Sequence, residues 1–101
     1  MELRYKDSKL EKLCTDERVM QRRRPDIQKK LRLRVNALRE AATVGDLPRD
    51  DPGGAWHELK GNFDGIWSGK LSGNWRLLVE PNPLKSISAV VVTLIDITDY
   101  H

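Results

Sequence analysis

The sequence has a single cysteine, Cys14, so no disulfide can form within the chain. Lone thiols suit a reducing compartment, and a small buried thiol is the simplest reading of this one. Histidine is almost as scarce, with only His57 and His101, and no Cys or His pair stands at metal-ligand spacing. Neither a phosphate-cradling glycine loop nor a nucleophile elbow is present. Aromatics number three Trp, two Tyr and one Phe. The longest apolar run, 89–94, is interrupted by Thr93 and falls far short of the ~20 residues of a membrane span. The first residues carry no apolar signal region, and the expected location is the cytoplasm, with no membrane association. These gaps exclude metal-dependent and nucleotide-cradling chemistry of the familiar kinds, and no cofactor is expected.

Charge is what the chain does have. Lys and Arg total 18 against 15 Asp and Glu, for a net +3 and a pI near 9.2. This is a mild bias toward anionic partners. At 101 residues the expectation is one domain, 1–101, with one modest core.

Leu3 and Tyr5 alternate with charged residues as in a short edge strand. Asp7 or Ser8 can cap a helix, with Glu11 placed as in a capping box. That helix carries Leu10, Leu13, Cys14 and Met20, with a break near Thr15-Asp16. Pro25 suits the first position of a second helix, and Asp26 its positive end. Ile27, Leu31, Val35, Leu38 and Ala42 then form one apolar stripe, and Gly45 stops it. Residues 46–54 read as a loop. Residues 55–60, 66–71 and 75–80 read as antiparallel strands. Residues 90–97 read as a final strand buried on both faces and central in the sheet.

Two features of this pattern concern function. Arg18, Arg22, Arg23, Arg24, Lys29, Lys30, Arg32, Arg34 and Arg39 make the helical region basic: either a solvated outer face or a surface that contacts nucleic-acid phosphates. The second feature is the hairpin around Ser72-Gly73-Asn74. A three-residue loop pairs Lys70 with Arg76 and puts Trp67, Leu71, Trp75, Leu77 and Val79 on the opposite face. Asn74 would supply the left-handed residue at its end. Facing cations repel, so the pair calls for an offsetting anion, either a carboxylate such as Glu58 or Asp99 or a bound phosphate. Strict alternation separates His57 from Lys60 unless the strand ends before Lys60. An Arg, Lys, His, Tyr and Asp set of this kind can cleave RNA without metal, and can equally just bind it.

The segments 57–61 (His-Glu-Leu-Lys-Gly), 65–68 (Gly-Ile-Trp-Ser), 71–77 (Leu-Ser-Gly-Asn-Trp-Arg-Leu) and 95–101 (Ile-Asp-Ile-Thr-Asp-Tyr-His) resemble, in that order, the HigB-type toxins of the RelE/ParE superfamily. The resemblance extends over nearly the whole chain. It implies an α+β, RelE-like fold of two N-terminal helices packed on a twisted, mainly antiparallel sheet of four to five strands. It implies the toxin half of a type II toxin–antitoxin module, acting as a ribosome-dependent, metal-independent mRNA endoribonuclease. Its partners would be a helix-turn-helix, HigA-like antitoxin, the ribosome and mRNA, with operator DNA reached only through the antitoxin complex. A ParE-like inhibitor of a protein such as DNA gyrase, or a degenerate RNA-binding member, is the alternative. Carried over, His57, Lys60, Arg76, Asp99, Tyr100 and His101 match catalytic positions, with Arg76 on the phosphate and Lys60 stabilising charge. His57, Asp99 and His101 are the base and acid candidates. Lys70, Ser72, Asn74, Arg22, Arg23 and Arg24 are the RNA-contact candidates. Ser72 departs from the pattern where some HigB toxins carry arginine, and Lys70 is the nearest substitute charge.

Overall fold

The computed structural model describes residues 1–99. Its sheet has five strands: β1 (Glu2–Tyr5), β2 (His57–Glu58), β3 (Trp67–Lys70), β4 (Trp75–Asn82) and β5 (Val91–Asp99). Their order is β1-β5-β4-β3-β2. β1 runs parallel to β5 at one edge, and every other pairing is antiparallel. The helices are α1 (Ser8–Thr15), α2 (Glu17–Arg23), α3 (Gln28–Glu40) and the single-turn α4 (Leu47–Asp50). The fold is thus α+β, but with four helices where two were expected, because one predicted helix breaks and a predicted loop coils.

The break falls where the sequence placed it. Asp16 ends α1 and caps α2, its carboxylate accepting from Arg18 N at 3.0 Å and Val19 N at 3.3 Å. Asp7 caps α1 by accepting from Leu10 N at 2.8 Å, so Glu11 lies one position too late to close a capping box. The second predicted helix starts later and stops earlier. Residues 25–27 form a turn, because Asp26 is engaged by Arg24, whose guanidinium also stacks 4.1 Å over the Trp75 ring. The helix ends at Glu40, so Ala41 rather than Ala42 is buried, and Gly45 lies outside it.

Leu31, Val35 and Leu38 of α3 pack with Met20 and Ile27 against Leu71, Leu77, Val79, Val92 and Leu94. All of these contribute to one apolar core on the helix side of the sheet.

β5 is not buried on both faces: Val92 and Leu94 are buried, whereas Thr93 is half-buried and Asp96 exposed. Its register with β4 jumps at Leu78/Val79, with Leu78 opposite Asp96 and Val79 opposite Leu94. Ile95 is therefore the extra residue of a β-bulge. The bulge resets the alternation. Ile97 joins the Leu77 side and Asp96 turns to the other face, where its charge stays in water. β5 is an interior strand, with β1 on one side and β4 on the other. β2 is shorter than expected, and β4 continues through Pro81 and Asn82.

Candidate active site on the outer sheet face

The hairpin between β3 and β4 has the anticipated register. Lys70 pairs with Arg76, Ser68 with Leu78, and Trp67 with Val79. Leu71 N donates to Trp75 O at 2.9 Å, which closes a three-residue loop. Asn74 does not adopt the left-handed conformation foreseen for it, since positive φ at non-glycine residues occurs only at Ala55 and Lys85 among the described residues. Side chains hold the loop instead. Ser72 Oγ accepts from Trp75 N at 3.1 Å, and Arg76 Nη1 donates to Ser72 O at 2.7 Å and Trp75 O at 3.0 Å.

His57 pairs with Ser68 across β2 and β3. Alternation then places His57, Ser68, Lys70, Arg76, Leu78, Asp96 and Thr98 on one face, away from the helices. Ser68 and Leu78 are buried and floor this face. His57 and Lys70 are exposed and Arg76 half-buried. His57 Nδ1 lies 3.0 Å from Ala55 O. A carbonyl only accepts, so Nδ1 carries the proton, and in the neutral ring Nε2 holds the lone pair. Ala55 itself is left-handed, at φ 45° and ψ 43°, a conformation uncommon for a residue with a side chain. This reversal swings the chain from the Pro52–Gly54 turn into β2 and brings the imidazole over the preceding carbonyl.

β2 ends at Glu58, so the condition that frees Lys60 from alternation with His57 is met. Lys60 is exposed and begins the 61–63 turn. Glu58 pairs with Trp67 and so leaves the face that carries Lys70. Asp99 pairs with Trp75, and the residue opposite Arg76 is Thr98. On the Arg76 face the register puts Asp96 one diagonal step away, with Glu80 farther along β4. Tyr100 and His101 lie outside the described residues.

The basic trio divides. Arg22 is exposed, Arg23 lines a groove of about 400 Å³ between α1 and β5, and Arg24 is spent on Asp26 and Trp75. All three belong to the helix side rather than to the His57–Arg76 face. Cys14 is buried, and burial pushes its thiol up to about 12. A thiol so disposed is a core side chain rather than a nucleophile.

Sequence reasoning missed Arg34, which it left among the surface cations. Arg34 is buried and donates Nε to Lys70 O at 2.8 Å, Nη1 to Asp51 Oδ1 at 3.0 Å and Nη2 to Gly53 O at 2.7 Å. Its signal was positional: it stands three residues after Leu31 and four before Leu38, inside the apolar stripe.

A family model of the HigB-like toxins, described as the RelE-like toxin of the type II toxin-antitoxin system HigB, matches residues 3–99. The chain belongs to this family. As a type II toxin, this HigB-like protein implies an antitoxin partner. Among solved structures it is similar to a YoeB/ParE toxin from Agrobacterium tumefaciens, at 18% identity, with 100% of both chains covered and a TM-score of 0.59. That likeness shows a shared fold. No curated protein matches the chain. Among the described residues no helix is long and apolar enough to cross a membrane.

Proposed function

We propose that this HigB-like toxin is a ribosome-dependent endoribonuclease that cleaves mRNA in the cytoplasm and is silenced by a helix-turn-helix antitoxin. The observation that carries the reading is the shared face of His57, Lys70 and Arg76, with His57 Nδ1 tied to a carbonyl and Nε2 left as its proton acceptor. In the reaction a base removes the 2′-hydroxyl proton and the 2′-oxygen attacks the adjacent phosphorus. The 5′-oxygen then leaves with a proton from an acid, giving a 2′,3′-cyclic phosphate and a 5′-hydroxyl end. Arg76 contacts the phosphate from a guanidinium pre-oriented by loop carbonyls, and Lys70 beside it offsets the growing negative charge. Lys60, which opens the β2–β3 loop at the other end of the sheet, is proposed for charge stabilisation by family resemblance alone. His57 serves one proton transfer. Asp99, Tyr100 and His101 are proposed for the other, by family resemblance.

Ser72 and Asn74 border the same hairpin and are proposed to meet RNA through the loop rather than as charges. The family as a whole supports RNase chemistry. The exposed apolar side chains Phe63, Leu84, Ile87 and Val90, in the β2–β3 and β4–β5 loops at the other end of the sheet, favour a second reading as a surface that inhibits a protein target.

The deciding experiment is cleavage of a defined message on purified ribosomes, mapped by primer extension, alongside growth of cells expressing the toxin with and without its antitoxin. Ribosome-dependent ends and growth arrest relieved by the antitoxin are expected. Growth arrest with intact messages would transfer support to the protein-inhibitor reading.

A further inference from the structure

Arg34 links α3 to the end of β3, to Gly53 and to Asp51. Arg34 is 3% exposed and sits on α3. It holds the Lys70 carbonyl at the end of β3, the Gly53 carbonyl, and both oxygens of Asp51, at 3.0 and 3.3 Å. Asp51 Oδ2 in turn accepts from Trp56 Nε1 at 2.9 Å. Trp56 immediately precedes His57. Lys70 precedes Leu71 and Ser72, the residues that close the hairpin and hold Arg76.

The surrounding glycines show how tightly this assembly is built. A Cβ on Gly69 would sit 2.6 Å from the Trp56 ring, and one on Gly54 2.4 Å from Trp56 Nε1. A Cβ on Gly53 would lie 3.3 Å from Arg34 Nη2. The indole is thus pressed against β3 while its N–H is fixed by a carboxylate that is itself fixed by Arg34. A buried ion pair of this kind adds little net stability over apolar residues of the same shape. What it supplies is direction, because each hydrogen bond needs its own angle.

We propose that Arg34, Asp51 and Trp56 form a positioning relay that sets the distance between His57 on β2 and the Lys70–Arg76 pair at the hairpin. The relay touches neither the reacting atoms nor the outer face; it acts from the helix side, through the backbone. The idea rests on the nuclease reading above, since only chemistry shared between β2 and the hairpin makes their spacing matter. Displacing reacting groups by about 1 Å costs on the order of 100-fold in rate.

Two variants separate positioning from mere structure. Trp56→Phe removes the N–H together with the outer indole atoms that reach Gly69, so an unchanged rate in it is the stringent result. The double variant Arg34→Met/Asp51→Leu replaces the ion pair by apolar side chains of similar volume and removes every directional bond. Both are assayed by steady-state mRNA cleavage on ribosomes, with wild-type protein in parallel, and by amide exchange at Leu71 and Trp75. The expected result is a drop in kcat of about 10-fold for Trp56→Phe and about 100-fold for the double variant, with KM within about 3-fold. Exchange at Leu71 and Trp75 should quicken by at least about 10-fold while the far β1–β5 amides stay protected. A folded double variant with wild-type kcat and wild-type exchange at the hairpin overturns the proposal. A double variant that does not fold leaves Trp56→Phe to decide, and unchanged kcat there also overturns it. If the wild-type protein itself fails to cut, the nuclease reading falls, and the exchange data still report whether the relay orders the hairpin.

Discussion

Arg76 holds a loop and, on the nuclease reading proposed above, would also serve the reaction. Its Nη1 is occupied by the carbonyls of Ser72 and Trp75, which fixes the plane of the guanidinium before any phosphate arrives. Arg76→Ala should therefore lower the cleavage rate by roughly 100- to 1,000-fold, the cost of losing a preorganised charge stabiliser. It should also cost about 1 kcal/mol of stability, a fall of roughly 4–8 °C in melting temperature. Arg76→Lys keeps the charge without the planar fork and should recover little of the rate. Wild-type cleavage by a folded Arg76→Ala protein would remove the residue from the site. Much of this was legible in the sequence. The alternation of Trp67, Leu71, Trp75, Leu77 and Val79 fixes which residues share a face with Arg76, because a one-residue slip would bury Lys70. Arg34 was not legible in the same way. Its partners Asp51, Gly53 and Lys70 come from segments far along the chain, and helical periodicity carries no information about them.

Among the elements, the junction of α1 and α2 depends on one carboxylate. Asp16 satisfies two backbone N–H groups at the start of a seven-residue helix, a helix too short to persist without packing and capping. Asp16→Ala should cost about 1 kcal/mol, read as a lowered urea midpoint with an unchanged m-value. An unaltered midpoint would mean that packing of Met20 alone holds α2. The break itself was readable because Thr15-Asp16 interrupts the apolar spacing with a capping residue. The late start of α3 was not, since Pro25 and Asp26 form a good local start signal. The tertiary stack of Arg24 on Trp75 overrides it. The bulge at Ile95 is written in the adjacent apolar pair Leu94-Ile95 followed by Asp96-Ile97, a pattern that no single alternation can satisfy.

At the scale of the whole molecule, charge is spread over both sides of the sheet. Arg22, Arg23, Lys29 and Lys30 are exposed on the helix side, while Lys70 and Arg76 occupy the other. If the helix side meets ribosomal RNA, the double variant Arg22→Glu/Arg23→Glu should weaken ribosome binding uniformly across messages. It should also reduce the slope of log affinity against log salt by about 2. The single-turnover rate at saturating ribosomes should be unchanged, because these side chains stand away from His57. An unchanged salt slope would assign them to solvent.

The parallel pairing of β1 with β5 has a consequence in time. Residue 2 pairs with residue 91, so the first strand to leave the ribosome waits for the last one before its edge of the sheet can close. Such distant pairings bring a high loop-closure cost and slow folding. A chain made only through β4 already contains His57, Lys70 and Arg76, yet it lacks the strand that clamps β4 from the other side. On the nuclease reading proposed above, the site is complete only once β5 has been made, and that interval would give an antitoxin its opportunity to bind first.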